Sequence, residues 1–215
     1  MIGRCAALLP LAGCFLIHGN DASCPHDRTI AIATQDDVAA FAGCTHARDV
    51  AIRTGASVDL APLAKLERID GDLVIGPTVG LEEVGLNGLE HVGGAIRASD
   101  NAAMHGLYLP RLIDAGRVVV DGNPGLRTIA MPRIAAIHGP LVVADNPRLE
   151  LLTASDLVAI DRELVIAGEP KLDNLELAHL AAADGVRLDN DPKLPAALAQ
   201  KLAALPPLPP KPKRR

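Results

Sequence analysis

A five-residue signature recurs through the middle of this chain about every 23 residues. It reads Gly-Asn-Pro-Gly-Leu at 122–126, Asp-Asn-Pro-Arg-Leu at 145–149, Gly-Glu-Pro-Lys-Leu at 168–172 and Asn-Asp-Pro-Lys-Leu at 190–194, with a degenerate copy, Asp-Asn-Ala-Ala-Met, at 100–104. The column Asn101, Asn123, Asn146, Glu169 and Asp191 is therefore spaced 22, 23, 23 and 22. A fixed period of this size means stacked coils, none of which can bury its apolar face alone.

Aligned on these turns, each coil repeats one plan. A first strand has the form apolar-x-apolar, as in Leu73-Val74-Ile75, Val118-Val119-Val120, Leu141-Val142-Val143 and Leu164-Val165-Ile166. After the turn comes Leu-x-x-Leu-x-Leu, as in Leu126, Ile129, Met131 and in Leu149, Leu152, Ala154. One more apolar residue closes the coil: Leu89, Leu112, Ile134, Leu157 and Leu180. Alternate residues of a strand face opposite sides, so each coil is expected to contribute two short strands to two parallel sheets. The turn column reads as a structural ladder. Proline stops the first strand, and the side-chain amide bonds nearby backbone or the next coil. A ligand-binding row is the rival reading of the same column.

Composition supports thin coils. Apolar residues make up 49% of the 215, yet the aromatics are only Phe15, Phe41 and Tyr108. The core must then be Leu, Ile, Val and Ala. A near absence of rings removes the usual platforms for stacking bases. Net charge is −5, and without Arg4 and the four basic residues of 206–215 the body carries about −10. Such a body is a poor nucleic-acid binder.

Both ends carry their own signals. Met-Ile-Gly-Arg followed by an apolar run from Cys5 to Ile17 reads as an export leader rather than a membrane span. Leu11-Ala12-Gly13-Cys14 resembles the bacterial lipobox, which implies a signal peptide at 1–13, lipidation of Cys14 and a linker over 14–23. An ordinary signal peptide cleaved near Ala22 is the alternative. Cys24 and Cys44 then remain as an even pair in an exported chain, which reads as a disulfide. A metal site using these cysteines lacks further ligands at typical spacing. Between them lie an expected strand, 29–33, and a short helix, 35–42, with Thr34 as N-cap and Asp37 three residues on. A closing helix is expected over 195–205, with Pro195 at its first position and Leu194, Leu198, Leu202 and Leu205 on one face. The solenoid domain thus spans 24–205, and 206–215 is a Pro-rich basic tail that cannot build a core.

The pattern Ile-x-Gly-x-Leu-x-Ile at 69–75, the Asn-Pro-x-Leu turns and Leu-Pro-x-Leu at 109–112 resemble the receptor L-domain superfamily over roughly 24–194. That resemblance implies a mainly β, right-handed parallel β-solenoid of about 6–7 coils with short capping helices. The opening from Cys24 to Cys44 is similar to the disulfide-capped start of such domains. True leucine-rich repeats are the neighbouring reading. No binding residue of the family can be carried over, because no motif marks one.

Candidate chemistry is sparse. The chain has no Walker A loop, dinucleotide fingerprint, Gly-x-Ser-x-Gly elbow or His-Glu-x-x-His helix, and its seven histidines share no ligand spacing. No cofactor or metal is expected. A polar column ahead of the first strand, read as Asp70, Gly93, Asp114, His138, Asp161 and Asp184, is taken as solvated turn residues rather than a Ca²⁺ row. If Leu73 and Ile75 point inward, Val74 points out, and so do Arg97, Val119, Val142 and Val165, with Ala51 and Arg187 completing the column. An outer apolar stripe of this kind is a candidate binding surface. The expected protein is a non-catalytic, exported module of the cell envelope. Its expected place is the outer membrane or cell surface, held there by its N-terminal lipid. It binds an envelope protein or polymer, or acts structurally, and it has no nucleic-acid partner. The alternative is an envelope enzyme acting on polysaccharide from a β-solenoid scaffold.

Overall fold

The computed structural model describes Cys24 and residues 28–208. The leader at 1–13, the whole linker at 14–23 including Cys14, and residues 209–215 lie outside the described residues. What is described is a mainly β parallel solenoid of about seven turns with two short helices. All strand pairings between coils are parallel, and they form one sheet of eleven strands and another of five.

The five-stranded sheet is built from Glu83–Gly85, Gly106–Tyr108, Thr128–Ala130, Leu151–Thr153 and Asn174–Glu176. Its middle residues Val84, Leu107, Ile129, Leu152 and Leu175 stack inward and are buried. The other apolar positions of each coil form matching interior columns, such as Leu81, Met104, Leu126, Leu149 and Leu172. Slim aliphatic side chains fill each layer, and no aromatic ring belongs to the buried core.

The eleven-stranded sheet holds the first strands of every coil, from Thr29–Ile32 and Asp49–Ile52 to Ala182–Asp189. Two strands per coil were expected, and the structure has a third run ahead of the first strand. It is separate at His46–Ala47, Arg68–Ile69 and Ala136–Ile137. It merges with the first strand in His91–Ser99, Asp114–Asp121, Ala159–Ala167 and Ala182–Asp189.

A glycine column makes this join. Strand register aligns Gly71, Gly94 and Gly116, and Gly139 follows one coil later. A Cβ on Gly94 would sit 2.7 Å from the Gly71 carbonyl oxygen, one on Gly116 would sit 2.5 Å from that of Gly94, and one on Gly139 2.7 Å from that of Gly116. Successive coils therefore touch backbone to backbone at this corner. Gly116→Ala is expected to force them apart and destabilise the fold by about 1–3 kcal/mol, as overpacking does. Urea unfolding of the variant beside wild type measures this, and an unchanged midpoint contradicts the close approach.

The same register corrects the polar column. Ala115 pairs with Val92 and Ile137, so the next position is Gly116, and Asp114 belongs beside His91 two residues earlier. Gly116 follows Gly93 by 23 residues and His138 follows Gly116 by 22, whereas Asp114 stands 21 residues after Gly93 and falls two places short of the repeat. Extra residues at Val92–Ala95 and Ile160–Glu163 bulge out of register.

Both ends are covered. Cys24 and Cys44 are bonded, with Cα atoms 5.5 Å apart and a sequence separation of 20. Helix α1, Gln35–Ala40, starts at Thr34, whose side chain accepts from the Asp37 amide while Asp37 accepts from the Thr34 amide. Its Val38 is buried over the first coil. At the other end, α2 spans Ala196–Ala203. Pro195, expected at the first helical position, takes the N-cap instead, and the helix starts one residue later at Ala196. Leu202 is buried, and Leu194, Leu198 and Leu205 pack against the core around it. Pro206, assigned above to the tail, still accepts a hydrogen bond from the Ala183 amide at 3.1 Å, so the chain stays docked past α2.

Candidate functional site

The turn and surface residues singled out in the sequence fall into two places, the buried turn ladder and the outer face of the large sheet, and the structure adds a groove at one edge of the small sheet.

The ladder begins earlier than the Asn-Pro signature. Thr78 donates its hydroxyl to Asn101 Oδ1 at 2.8 Å. Asn101 then sends both its backbone N–H and its Nδ2 to Asn123 Oδ1, at 3.1 and 2.9 Å. Asn123 does the same to Asn146 Oδ1, and Asn146 to Glu169 Oε1 at 3.0 and 2.9 Å. The Glu169 amide ends the run on Asp191 Oδ1 at 2.9 Å. The amide nitrogens of the three asparagines also donate to backbone carbonyls: Ile75 for Asn101, Ala98 and Asp121 for Asn123, Val120 and Ala144 for Asn146. Asn101, Asn123, Asn146 and Glu169 are completely buried. These side chains are occupied by the fold itself and are closed to an external ligand.

Each rung follows a sharp corner. Asp100, Gly122, Asp145, Gly168 and Asn190 have φ of 56, 65, 55, 75 and 59°. That left-handed region is open mainly to Gly, Asn and Asp, the residue types found there. This column stands in the sequence directly before each rung, and its composition was the signal that could have revealed the corner.

The ladder changes character at its end. Glu169 Oε2 and Asp191 Oδ2 are buried and have no hydrogen-bond partner. Burial pushes the Glu169 carboxyl up to about 7, against hydrogen bonds from Asn146 that pull it down, and the charges of Asp191 and Asp145 raise it further. Asp191 is also raised, again chiefly by burial.

On the large sheet, register places Ala51, Val74, Arg97, Val119, Val142, Val165 and Arg187 in one unbroken column. Their neighbours in each strand, such as Leu141 and Val143, are fully buried, so this column points out of the coil. The valines are nevertheless not freely exposed. Val74, Val119 and Val142 are half-buried, and Val165 is only 5% exposed although it stands outside the contiguous core. Strands about 4.8 Å apart press neighbouring valine methyls against one another. The expected stripe is a low, close-packed strip. Ala144 and Ala167 lie beside it in register, and Ser99, Asp121, Asp189, Arg97 and Arg187 bound it.

The small sheet ends at Glu83–Gly85, which pairs on one side only. An open groove of about 420 Å³ lies along this edge, lined by Ser57, Asp59, Glu82, Glu83, Asn87 and His105. His105 Nε2 is 3.9 Å from Glu83 Oε2. Elsewhere His91 Nδ1 lies 2.7 Å from Asp114 Oδ2, across adjacent coils. Among the described residues no three His, Cys, Asp or Glu side chains converge as a metal-ligand set. No described helix is long and apolar enough to cross a membrane.

The architecture defines the class: a disulfide-capped parallel β-solenoid whose polar ladder is internal. No family model matches the chain, and the comparisons with curated proteins and with solved structures gave no match.

Proposed function

We propose that this chain is an exported envelope module of the receptor L-domain kind, anchored through lipid on Cys14, that presents the outer face of its large sheet to a protein or envelope polymer and performs no catalysis. The observation carrying this reading is the uncharged centre of that face. Val119, Val142, Val165, Ala144 and Ala167 hold no charge across three coils, and charged residues of both signs border them. A solenoid suits this role because each coil is held by its neighbours and the display surface is rigid. The acidic body and the near absence of rings argue against nucleic acid.

The test uses the mature, acylated protein recovered from membranes, with cross-linking to capture its neighbours. Cys14→Ser is expected to release the protein from membranes, since two acyl chains anchor stably where one is marginal. Val119→Glu with Val142→Glu, both at half-buried positions, is expected to leave the fold intact by circular dichroism and abolish the cross-linked partner. Retention of every partner and of the oligomeric state by the folded double variant overturns the face. A second reading, a polysaccharide-cleaving envelope enzyme, draws on the acidic groove at Glu83–Gly85. Release of oligosaccharide from envelope glycans in the same preparation, lost in Glu83→Gln, is the result that selects it.

A further inference from the structure

The C-terminal end of the ladder carries a chemical discontinuity. Three successive rungs are asparagines, whose amide supplies one acceptor oxygen and one donor nitrogen. In Asn123 and Asn146 the oxygen receives the N–H and Nδ2 of the rung before it, and in Asn101 it receives the Thr78 hydroxyl. The nitrogen donates onward and to backbone carbonyls of its own and the preceding coil. Glu169 keeps the first half of this pattern, because its Oε1 receives Asn146 N–H and Nδ2. Its other atom, Oε2, is fully buried and without a partner. As a carboxylate, Oε2 can only accept, and the atoms that receive the amide nitrogen in the upstream rungs are also acceptors. By the spacing of those rungs, the corresponding carbonyls are Val143 O and Ala167 O.

We propose that Glu169 is a protonated rung, donating through Oε2–H to those carbonyls, and that loss of its proton loosens the last coil and α2, making the C-terminal cap of the solenoid a pH-sensitive latch.

The surroundings favour the neutral acid. The charged groups acting on Glu169 are Asp145, from the corner of the preceding coil, and Asp191, the next rung. Asp189 acts in turn on Asp191. All three are acidic, so ionisation of Glu169 adds a buried negative charge among like charges with one oxygen unsatisfied. The end coil is where this matters most. Beyond Asp189 the chain leaves the sheet for the Asp191 turn and α2, and α2 packs against Ala182–Asp189, which pairs with the sheet on one side only.

The sign follows from the direction of the shift. Burial and the neighbouring carboxylates raise the folded-state value from 4.5 to about 7. The folded chain therefore binds this proton more tightly than the unfolded chain. The stability it contributes is fully present below pH 4.5 and is lost as pH rises to about 7. The corresponding fall in the folded-to-unfolded ratio is on the order of a few hundredfold.

Glu169→Gln tests the latch, because its amide supplies the donor at every pH. At pH 8 the variant is expected to raise the folded-to-unfolded ratio on the order of a hundredfold over wild type in urea unfolding. At pH 5 the two are expected to agree within about tenfold. Hydrogen exchange at fixed pH should place the difference in residues 182–205. Parallel pH profiles for variant and wild type overturn the proposal. So does a directly observed Glu169 carboxyl, followed by ¹³C NMR in the unmodified protein, that titrates at or below pH 4.5. That measurement also decides the matter if the variant does not fold.

Discussion

Asn123→Ala is expected to destabilise the protein by about 4 kcal/mol, a large part of the 5–15 kcal/mol that holds a typical domain together. Asn123 Oδ1 receives two hydrogen bonds from Asn101, and its Nδ2 donates to Ala98, Asp121 and Asn146. Alanine removes all five in a site with no exposed surface. It leaves the Asn101 N–H, the Asn101 amide and the freed carbonyls in a closed interior. Each buried group left unpaired costs about 1–3 kcal/mol, and partial relaxation keeps the sum below a simple total. Asn123→Asp separates donor from acceptor. It retains the oxygen that serves Asn101 and loses the donor, so it is expected to be destabilising at pH 8 and to recover in acid as its carboxyl takes up a proton. Urea unfolding of both variants across pH measures this. Equal stability of Asn123→Ala and wild type would show that the ladder contributes little.

The second large effect is expected at the other end of the stack. Reducing Cys24–Cys44, or replacing both with alanine, should cost about 3 kcal/mol, the chain-entropy value for a closed loop of 20 residues. The segment inside the loop contains Thr29–Ile32 and α1, which cover the first coil. Solenoid coils are stabilised by their neighbours, so the loss should appear first as local opening of this cap. Amides of residues 29–44 are expected to exchange fastest in the reduced protein, ahead of the central coils. Uniform acceleration throughout the chain would mean that the disulfide acts on the solenoid as one unit.

Particular residues show how far the sequence reached. The interior columns from Leu81 to Leu180 were legible because burial imposes a repeat on residue type, and a repeat survives without any knowledge of contacts. Thr34 and Asp37 were legible because a capping box is a local event of four residues. The valine column was placed on the outer side by alternation alone. Its half-burial was not, because that depends on the distance between coils. Of the ladder, the asparagine spacing was visible, and Thr78 one period earlier was hidden by its different chemistry. The acidic groove had no motif to announce it, since such a surface is assembled from one or two residues of each coil.

What the amino-acid order determined by itself is the period, the inward positions and the two caps, all of which follow from where apolar residues, prolines and cysteines stand along the chain. The tertiary structure decided which atom of one coil meets which atom of the next. Asp114 and Gly116 stand two residues apart, and the pairing of Ala115 with Val92 and Ile137 gives the place in the column to Gly116. Only the register set by backbone hydrogen bonds shows that glycines at 71, 94, 116 and 139 let the coils touch. Only that register shows that Glu169 meets two donors with one oxygen and none with the other.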